Sequence, residues 1–147
     1  MIALREVSRT NFDACVELER HSERFVGNAA YVLAEAYVHR RDSTAYVVCA
    51  DNEAVGLVIL RDRPDEGRAY AFTSLFIADP HQGKGFGRAA VEAIIRKCRA
   101  ERLSDRIEIF VHESNEKALR VYRNAGFVDT GRAAWDGVFL GLRYRLE

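Results

Sequence analysis

The chain has 147 residues, and 22 Lys and Arg balance 22 Asp and Glu, so its formal charge is zero. This length predicts one domain over residues 1–147, and 48% hydrophobic residues with 30% charged residues exclude extended disorder. A neutral chain has no bulk field to attract nucleic acid or anionic lipid, so neither is an expected partner.

The three cysteines, Cys15, Cys49 and Cys98, stand far apart and form no CxxC pair. Their spacing predicts reduced thiols and no metal site. The N-terminal residues lack the pattern of a signal peptide, and no run reaches the roughly 18 apolar residues of a membrane span. We therefore expect a cytoplasmic protein without a membrane segment.

The first predicted elements are a strand and two helices. Ile2–Val7 alternates apolar and polar residues as a half-buried strand does. Thr10 or Asn11 can cap a helix over Phe12–Arg20, and Asn28–Arg40 is a second helix with Asn28 as its cap.

The hydrophobic period then changes to two. Tyr46–Cys49 and Ala54–Leu60 flank a turn and predict an antiparallel hairpin, and Arg68–Ala78 returns as a third strand of the meander. The later elements are a helix over Phe86–Arg102, a strand over Arg106–Val111, a helix over Asn115–Asn124, a strand over Phe127–Arg132, and a turn at Asp136–Gly137 before a last strand, Val138–Leu146. Together they predict a mixed α/β, three-layer domain.

A glycine-rich segment between the third meander strand and the long helix carries the strongest chemical signal. Gly83, Gly85 and Gly87 free the backbone just before the helix begins. Unpaired amides at a helix start, with the positive end of the helix dipole, suit a pyrophosphate, and Lys84 and Arg88 add charge. The spacing matches neither GxGxxG nor the Walker A loop.

Gln82-Gly-Lys-Gly-Phe-Gly87 resembles the Q/R-x-x-G-x-G/A acyl-CoA loop of the GNAT superfamily of N-acetyltransferases. Leu75-Phe-Ile77 before the loop and Asn115–Phe127 after it are similar to that family as well. Arg24–Ala30 and Leu33–Ala36 are similar to its spermine/spermidine (diamine) acetyltransferase branch. The resemblance implies a GNAT-like acyl-CoA N-acyltransferase fold, with a central, mostly antiparallel sheet that is splayed at the cofactor site.

Acetyl-CoA is the co-substrate that the resemblance implies. The implied cofactor-binding residues are Leu75, Phe76, Ile77, Gln82, Gly83, Lys84, Gly85, Phe86, Gly87, Arg88 and Asn115. The strand Leu75–Ile77 would splay from the strand that starts at Arg106, so that its backbone can bond the pantetheine. An amide near Ile77 would polarise the acetyl carbonyl, and Asn115 can also serve as a plain helix cap.

Tyr122 and Glu35 are the candidate catalytic residues. By resemblance, Tyr122 is the general acid that returns a proton to the CoA thiolate, and packing in the core is its alternative role. The places where the family carries an acidic base hold Thr73 and Ser74 here. Glu35 is the best remaining carboxylate, although a solvated helix face is its alternative role, and His112 and Glu113 are further candidates.

These residues predict an acetyl-CoA-dependent N-acetyltransferase that acts on a primary amine of a small molecule, such as a polyamine, by direct attack in a ternary complex. No Cys lies in the motifs, so a covalent acetyl-enzyme has no evident nucleophile. The alternatives are a protein N-terminal or lysine acetyltransferase and a non-catalytic acyl-CoA-binding module. The resemblance also suggests a homodimer.

Overall fold

The computed structural model describes residues 1–18 and 27–147. The elements of these ranges are β1 (Ile2–Glu6), α1 (Phe12–Val16), α2 (Ala29–Val38), β2 (Thr44–Ala50), β3 (Glu53–Arg61), β4 (Ala71–Ile77), a 3-10 turn (Asp79–His81), α3 (Phe86–Glu101), β5 (Arg106–His112), α4 (Glu116–Ala125), β6 (Val128–Arg132) and β7 (Phe139–Arg145). Residues 24–26, part of the similarity to the diamine acetyltransferases, lie outside these ranges. None of the helices described is both long enough and apolar enough to cross a membrane.

Within the described ranges the strands form two antiparallel sheets, in the orders β1-β2-β3-β4 and β5-β7-β6. The sheets meet at a parallel bridge between Tyr70 and Ile107. There the Tyr70 amide donates to the Arg106 carbonyl (3.0 Å), and the Glu108 amide donates to the Tyr70 carbonyl (2.8 Å). Beyond this bridge β4 and β5 are edge strands of separate sheets. The predicted mixed α/β fold with a splayed, mostly antiparallel sheet is therefore confirmed.

Helices cover both faces of the strands, which gives three layers. One core lies under α3 and α4 and includes Leu60, Tyr70, Ile94 and Ile107. The other lies under α1 and α2 and includes Cys15, Val32, Val47 and Leu57. The two cores fix the positions of the edge strands between them.

A bulge in β4 changes which of the two cores the side chains of this strand face. Ser74 and Leu75 lie opposite one β3 residue, Val58, and Ser74 has a φ of 58°, in the left-handed region. Side chains four apart on a regular strand face the same side. Because of the extra residue, however, Phe72 packs in the α3/α4 core and Phe76 in the α1/α2 core.

The first helix is shorter than the sequence predicts. A helix was expected over Phe12–Arg20, but α1 ends at Val16, and residues 19 and 20 lie outside the described ranges. Asn11 occupies the cap position without capping a helix amide. Its side chain instead accepts from the Ser8 amide (2.8 Å) and donates to the Glu6 carbonyl (3.0 Å), so the loop before the helix uses both of its polar atoms.

The other predicted elements are present with shifted ends. The Asn28 side chain caps α2 by accepting from the Tyr31 amide at 2.9 Å. The third meander strand begins at Ala71 rather than Arg68. The Asp136–Gly137 pair lies in the turn before β7, where the Phe139 amide donates to the Asp136 carbonyl at 3.2 Å.

Candidate active site

The separation of β4 and β5 opens a cleft of about 200 Å³. We use "the cleft" for this space, whose lining includes Ser74 and Leu75 from β4, Val111 and His112 from β5, and Asn115 and Tyr122 at α4. Four candidate residues from the sequence, Leu75, His112, Asn115 and Tyr122, therefore meet here. They come from opposite sides of the split between the sheets.

At Ile77, just past the residues that line the cleft, the backbone of β4 faces away from β3. The Ala78 amide donates to the Val55 carbonyl of β3 at 2.8 Å. Backbone groups alternate in direction along an antiparallel strand, so the polar groups of Ile77 point away from β3. The Ile77 carbonyl accepts from the Gln82 side-chain amide (2.8 Å), which fixes the loop after β4. The Ile77 amide is thus placed on the open edge of the strand.

The loop after β4 carries a row of backbone amides without acceptors. The Ala89 amide donates to the Gly85 carbonyl (3.1 Å), but in the described ranges the amides of residues 83–88 donate to no protein acceptor. We call these six amides the amide row. It ends on the first turn of α3, a helix of 16 residues, whose dipole adds positive potential. This arrangement can bind a diphosphate.

Glycine is required in the amide row by conformation rather than by crowding. Gly83 and Gly85 have φ values of +77° and +80°, and a Cβ at either position would meet no atom within 4 Å. At Gly87 a Cβ would meet no atom closer than the Ile77 side chain, at 4.0 Å. The space in front of the row is therefore open for a ligand to approach the backbone closely.

The remaining residues of the predicted cofactor set have other contacts. Lys84 is exposed beside the amide row, and Phe86 is partly buried at the start of α3. Arg88 pairs with Glu92, one turn further along α3, at 3.1 Å. Phe76 packs its side chain in the α1/α2 core, away from the cleft.

Tyr122 and Asn115 approach the cleft from α4. The Asn115 side chain caps this helix by accepting from the Ala118 amide at 3.3 Å. The ring of Tyr122 packs against Phe72 and Phe127, at centroid distances of 5.5 and 6.0 Å. Burial raises the pKa of the Tyr122 phenol well above its usual range. Its hydroxyl donates to no acceptor in residues 1–18 and 27–147, so a protonated donor faces the cleft.

A larger cavity of about 680 Å³, which we call the side cavity, adjoins the cleft and shares Phe72, Thr73 and Phe110 with it. Its charged and titratable lining residues come from several elements: Glu35, His39, Asp42, Arg61, Arg68 and Glu108. None of them except Glu35 was singled out from the sequence. They come from three separate segments of the chain, 35–42, 61–68 and 108, so no single local motif could have identified the set.

The carboxylates of the side cavity differ in their partners. Burial raises the pKa of Glu108, but hydrogen bonds from Arg143 and Arg106 outweigh this effect and hold the pKa below its usual value. Asp42 accepts from the Ser43 hydroxyl (2.8 Å). Glu35 accepts from the Ser74 hydroxyl (2.8 Å), and Ser74 is itself a lining residue of the cleft. Glu35 is thus joined directly to the cleft.

The other two candidate bases lie differently. His112 lines the cleft, where its Nδ1 accepts from the Ser114 amide at 3.1 Å. Glu113 forms an ion pair with Arg132 and lines neither the cleft nor the side cavity. Of these two, the structure brings His112 alone to the cleft.

Aromatic side chains form one wall of the side cavity. Trp135 packs against Phe139 and Phe110, at centroid distances of 4.9 and 5.8 Å. Trp135 is 65% exposed, although it contributes to the cavity lining. This wall offers apolar surface to a ligand that also meets the charged groups.

Comparisons with known proteins give a consistent result. The family model described as "Acetyltransferase (GNAT) family" matches residues 6–127. A spermidine N(1)-acetyltransferase of Escherichia coli (strain K12) is 27% identical over 113 residues, which are 77% of this chain and 60% of that protein. The chain therefore spans about 60% of the length of the curated relatives that it matches.

Two solved structures share the fold. A spermidine N-acetyltransferase from Vibrio cholerae, in complex with CoA and spermine, has a TM-score of 0.76 at 21% identity, covering 99% of this chain and 95% of that one. An aminoglycoside acetyltransferase, AAC(6')-Ib, in complex with coenzyme A, has a TM-score of 0.81 at 18% identity, with the same coverage of 99% and 95%. At these identities the likeness establishes the fold.

Proposed function

Because the chain belongs to the acetyltransferase (GNAT) family, we propose that it transfers the acetyl group of acetyl-CoA to a primary amine of a small molecule. The observation that carries this proposal is the continuity of three features. The amide row follows β4 after a single 3-10 turn. In turn, β4 forms one edge of the cleft opposite Tyr122, and the cleft adjoins the side cavity through shared residues. A diphosphate in the amide row, a thioester in the cleft and an amine in the side cavity can thus be bound next to one another.

The residues present fit acetyl-CoA, which supplies the acetyl group as a thioester. The amide row, with Lys84 and Arg88 nearby, would hold the diphosphate. The open backbone edge of β4 at Leu75 and Ile77 would bond the amides of the extended pantetheine, as another strand would. Asn115 lines the opposite side of the cleft while it caps α4. Such backbone bonding is available because β5 leaves this edge of β4 unpaired.

The chemistry needs one group that removes a proton and another that supplies one. An alkyl amine with a pKa of about 10.4 costs about 4–5 kcal/mol to deprotonate at pH 7. We assign Glu35 as the base, since it is the side-cavity carboxylate joined to the cleft. We assign Tyr122 as the acid, since its phenol, whose raised pKa keeps it protonated, belongs to a residue that lines the cleft. The Ile77 amide would polarise the acetyl carbonyl.

Direct attack is favoured over an acetyl-enzyme by the positions of the cysteines. All three are buried, and burial raises the pKa of Cys15 to about 11 and of Cys98 to about 12. Burial also raises the pKa of Cys49. Protonated thiols are poor nucleophiles, and none of the three lines the cleft. The amine would therefore attack the thioester itself in a ternary complex.

The relatives' names support a polyamine as the acceptor, and we propose one as the first acceptor to assay. The side cavity lies beside Glu35 and has an aromatic wall, both of which suit a cationic amine. A homodimer, a cytoplasmic location and a single domain over residues 1–147 stay predictions.

An acceptor panel tests this function. The purified protein is assayed for release of the CoA thiol from acetyl-CoA with spermidine, spermine, lysine peptides and amino acids side by side. We expect amine-dependent release with a small amine. Release with peptide amines alone would indicate a protein acetyltransferase. Binding of acetyl-CoA by calorimetry without any turnover would indicate a binding module, and absence of both would refute the proposal.

A further inference from the structure

Ser74 lies where the two parts of the proposed site meet. Its hydroxyl donates to Glu35 Oε1 at 2.8 Å. Ser74 lines the cleft together with Tyr122, whereas Glu35 lines the side cavity and is absent from the lining of the cleft. The reacting nitrogen of an amine held in the side cavity has to enter the cleft to reach the thioester, and from there its proton reaches Glu35 most directly through the Ser74 oxygen.

We propose that the Ser74 hydroxyl relays the proton of the attacking amine to Glu35. This inference rests on the proposed function and adds to it a residue that would touch the acceptor. One N–H bond of the alkylammonium ion breaks, and the lone pair that it leaves on the nitrogen forms the bond to the acetyl carbon. The proton passes to Ser74 Oγ, the proton already on Ser74 passes to Glu35 Oε1, and the serine ends as a hydroxyl.

The cycle closes without any further reactant. Tyr122 donates its proton to the departing sulfur as the C–S bond breaks, and the second N–H proton, which the nitrogen loses as the amide forms, replaces it by way of solvent. Glu35 loses the proton it received to solvent. The overall reaction releases one proton for each alkylammonium ion that is acetylated, as N-acetylation by a thioester requires.

The backbone of Ser74 supports a functional reason for this residue. Ser74 has a φ of 58°, a conformation that L side chains adopt at a cost and that glycine adopts readily. A strained non-glycine residue at a candidate site points to use of its side chain. The bulge that imposes this conformation also brings the hydroxyl to a helix residue 39 positions away in the chain.

The other charged groups near Glu35 do not offer the same route. The titratable and charged residues that line the side cavity with Glu35 are His39 at the C-cap of α2, Asp42 after α2, Arg61 on β3, Arg68 before β4 and Glu108 on β5. None of these lines the cleft. Glu108 is paired with two arginines, and Asp42 with Ser43.

Two matched substitutions separate the hydroxyl from the backbone. Ser74→Gly removes the hydroxyl and relieves the positive φ, while Ser74→Ala removes the hydroxyl and keeps the Cβ. We expect both to lower kcat by about 10²-fold or more, with the KM for acetyl-CoA within about threefold of wild type. Ser104→Ala, in the loop between α3 and β5, lines neither cavity and serves as the control.

The choice of acceptor tells a proton relay from a structural role. An amine with electron-withdrawing groups, whose pKa lies below the assay pH, arrives already deprotonated. We expect the loss in kcat caused by Ser74→Gly to be at least about tenfold smaller with this amine than with an alkylamine. A loss equal for both amines would mean that Ser74 only supports the structure, and would overturn the proposal.

A double-substitution cycle completes the test. If Ser74 and Glu35 act on one proton, Ser74→Ala with Glu35→Gln should be no slower than the slower single variant, within about threefold. Additive losses, or full activity in Ser74→Gly, would overturn the relay. Failure of the wild-type protein to release CoA thiol with any amine would instead refute the proposed function, so the two failures are distinguishable.

Discussion

Replacement of Tyr122 by phenylalanine tests the assigned acid with a minimal change. The substitution removes one oxygen and keeps the ring that packs against Phe72 and Phe127 at 5.5 and 6.0 Å. The hydroxyl donates to no acceptor in the described part of the chain, so its removal leaves no described partner unpaired. We therefore expect the free energy of unfolding to change by less than about 1 kcal/mol.

The effect on turnover should be much larger. General acid catalysis contributes about 10²–10⁴-fold, or about 2.7–5.5 kcal/mol of barrier. Because burial raises the pKa of the Tyr122 phenol, the group stays protonated but is a weaker acid than an exposed tyrosine. A weaker acid transfers its proton less readily, so we expect a loss in the lower part of that range, about 10²–10³-fold in kcat.

Three measurements on each variant decide the role of Tyr122: kcat from CoA thiol release at saturating acetyl-CoA, the Kd for CoA from calorimetry, and Tm. Tyr144→Phe is the matched control, because Tyr144 packs on Phe127 at 5.4 Å and its hydroxyl accepts from Arg99 at 3.0 Å, outside the cleft. The control should retain wild-type turnover. If Tyr122→Phe keeps more than half of the wild-type kcat, the assignment is wrong, and if kcat, affinity and Tm fall together, Tyr122 is structural.

Three further substitutions probe the amide row, a helix cap and a buried thiol. Gly85→Val places a β-branched residue at a φ of +80°, so CoA affinity by calorimetry should fall more than about tenfold, whereas Gly137→Val in the last hairpin should leave it unchanged. Asn28→Ala removes the acceptor of the Tyr31 amide and should lower stability by about 1 kcal/mol, or Tm by about 2–4 °C; an unchanged Tm would contradict the cap. Burial raises the pKa of Cys98 from 9.0 to about 12. The folded state therefore favours the protonated thiol, and this contribution to the free energy of unfolding is present well below pH 9 and is lost as the pH rises towards 12. Between about pH 8 and about pH 10.5 the wild type should lose about 2 kcal/mol more unfolding free energy than Cys98→Ala, measured with denaturant, and parallel losses would refute this.

Features set by neighbouring residues could be predicted from the sequence. Asn28 and Asn115 each accept from an amide three residues ahead, as their positions before apolar helical patterns indicate. The amide row could be predicted because its glycines come directly before a run of residues with high helix propensity. In each case the interacting residues are close neighbours in the sequence, so the local sequence pattern is sufficient to predict the feature.

Features that depend on distant residues could not be predicted. Asn11 has the right type and place for a cap, but the chain before it takes both of its polar atoms. The composition of the side cavity depends on elements from α2 to β7. The alternation of residues 72–76 would place Phe72 and Phe76 on one face, and no residue in that segment signals the bulge that separates them.

The bulge in β4 links the two halves of the proposed reaction. The two sheets pair at the bridge between Tyr70, just before β4, and Ile107 of β5. The Tyr70 hydroxyl accepts from the Leu103 amide at 2.8 Å, so both the backbone and the side chain of Tyr70 hold this bridge. Past the bridge, the extra residue at Ser74 leaves Leu75 and Ile77 with their backbone on the open edge and turns the Ser74 hydroxyl to Glu35. A regular strand one residue shorter would reverse the direction of each later backbone group and would lose the contact with Glu35. The open edge of β4 and the proposed route to the base therefore depend on the same inserted residue, and the relay would account for a serine in a conformation that favours glycine.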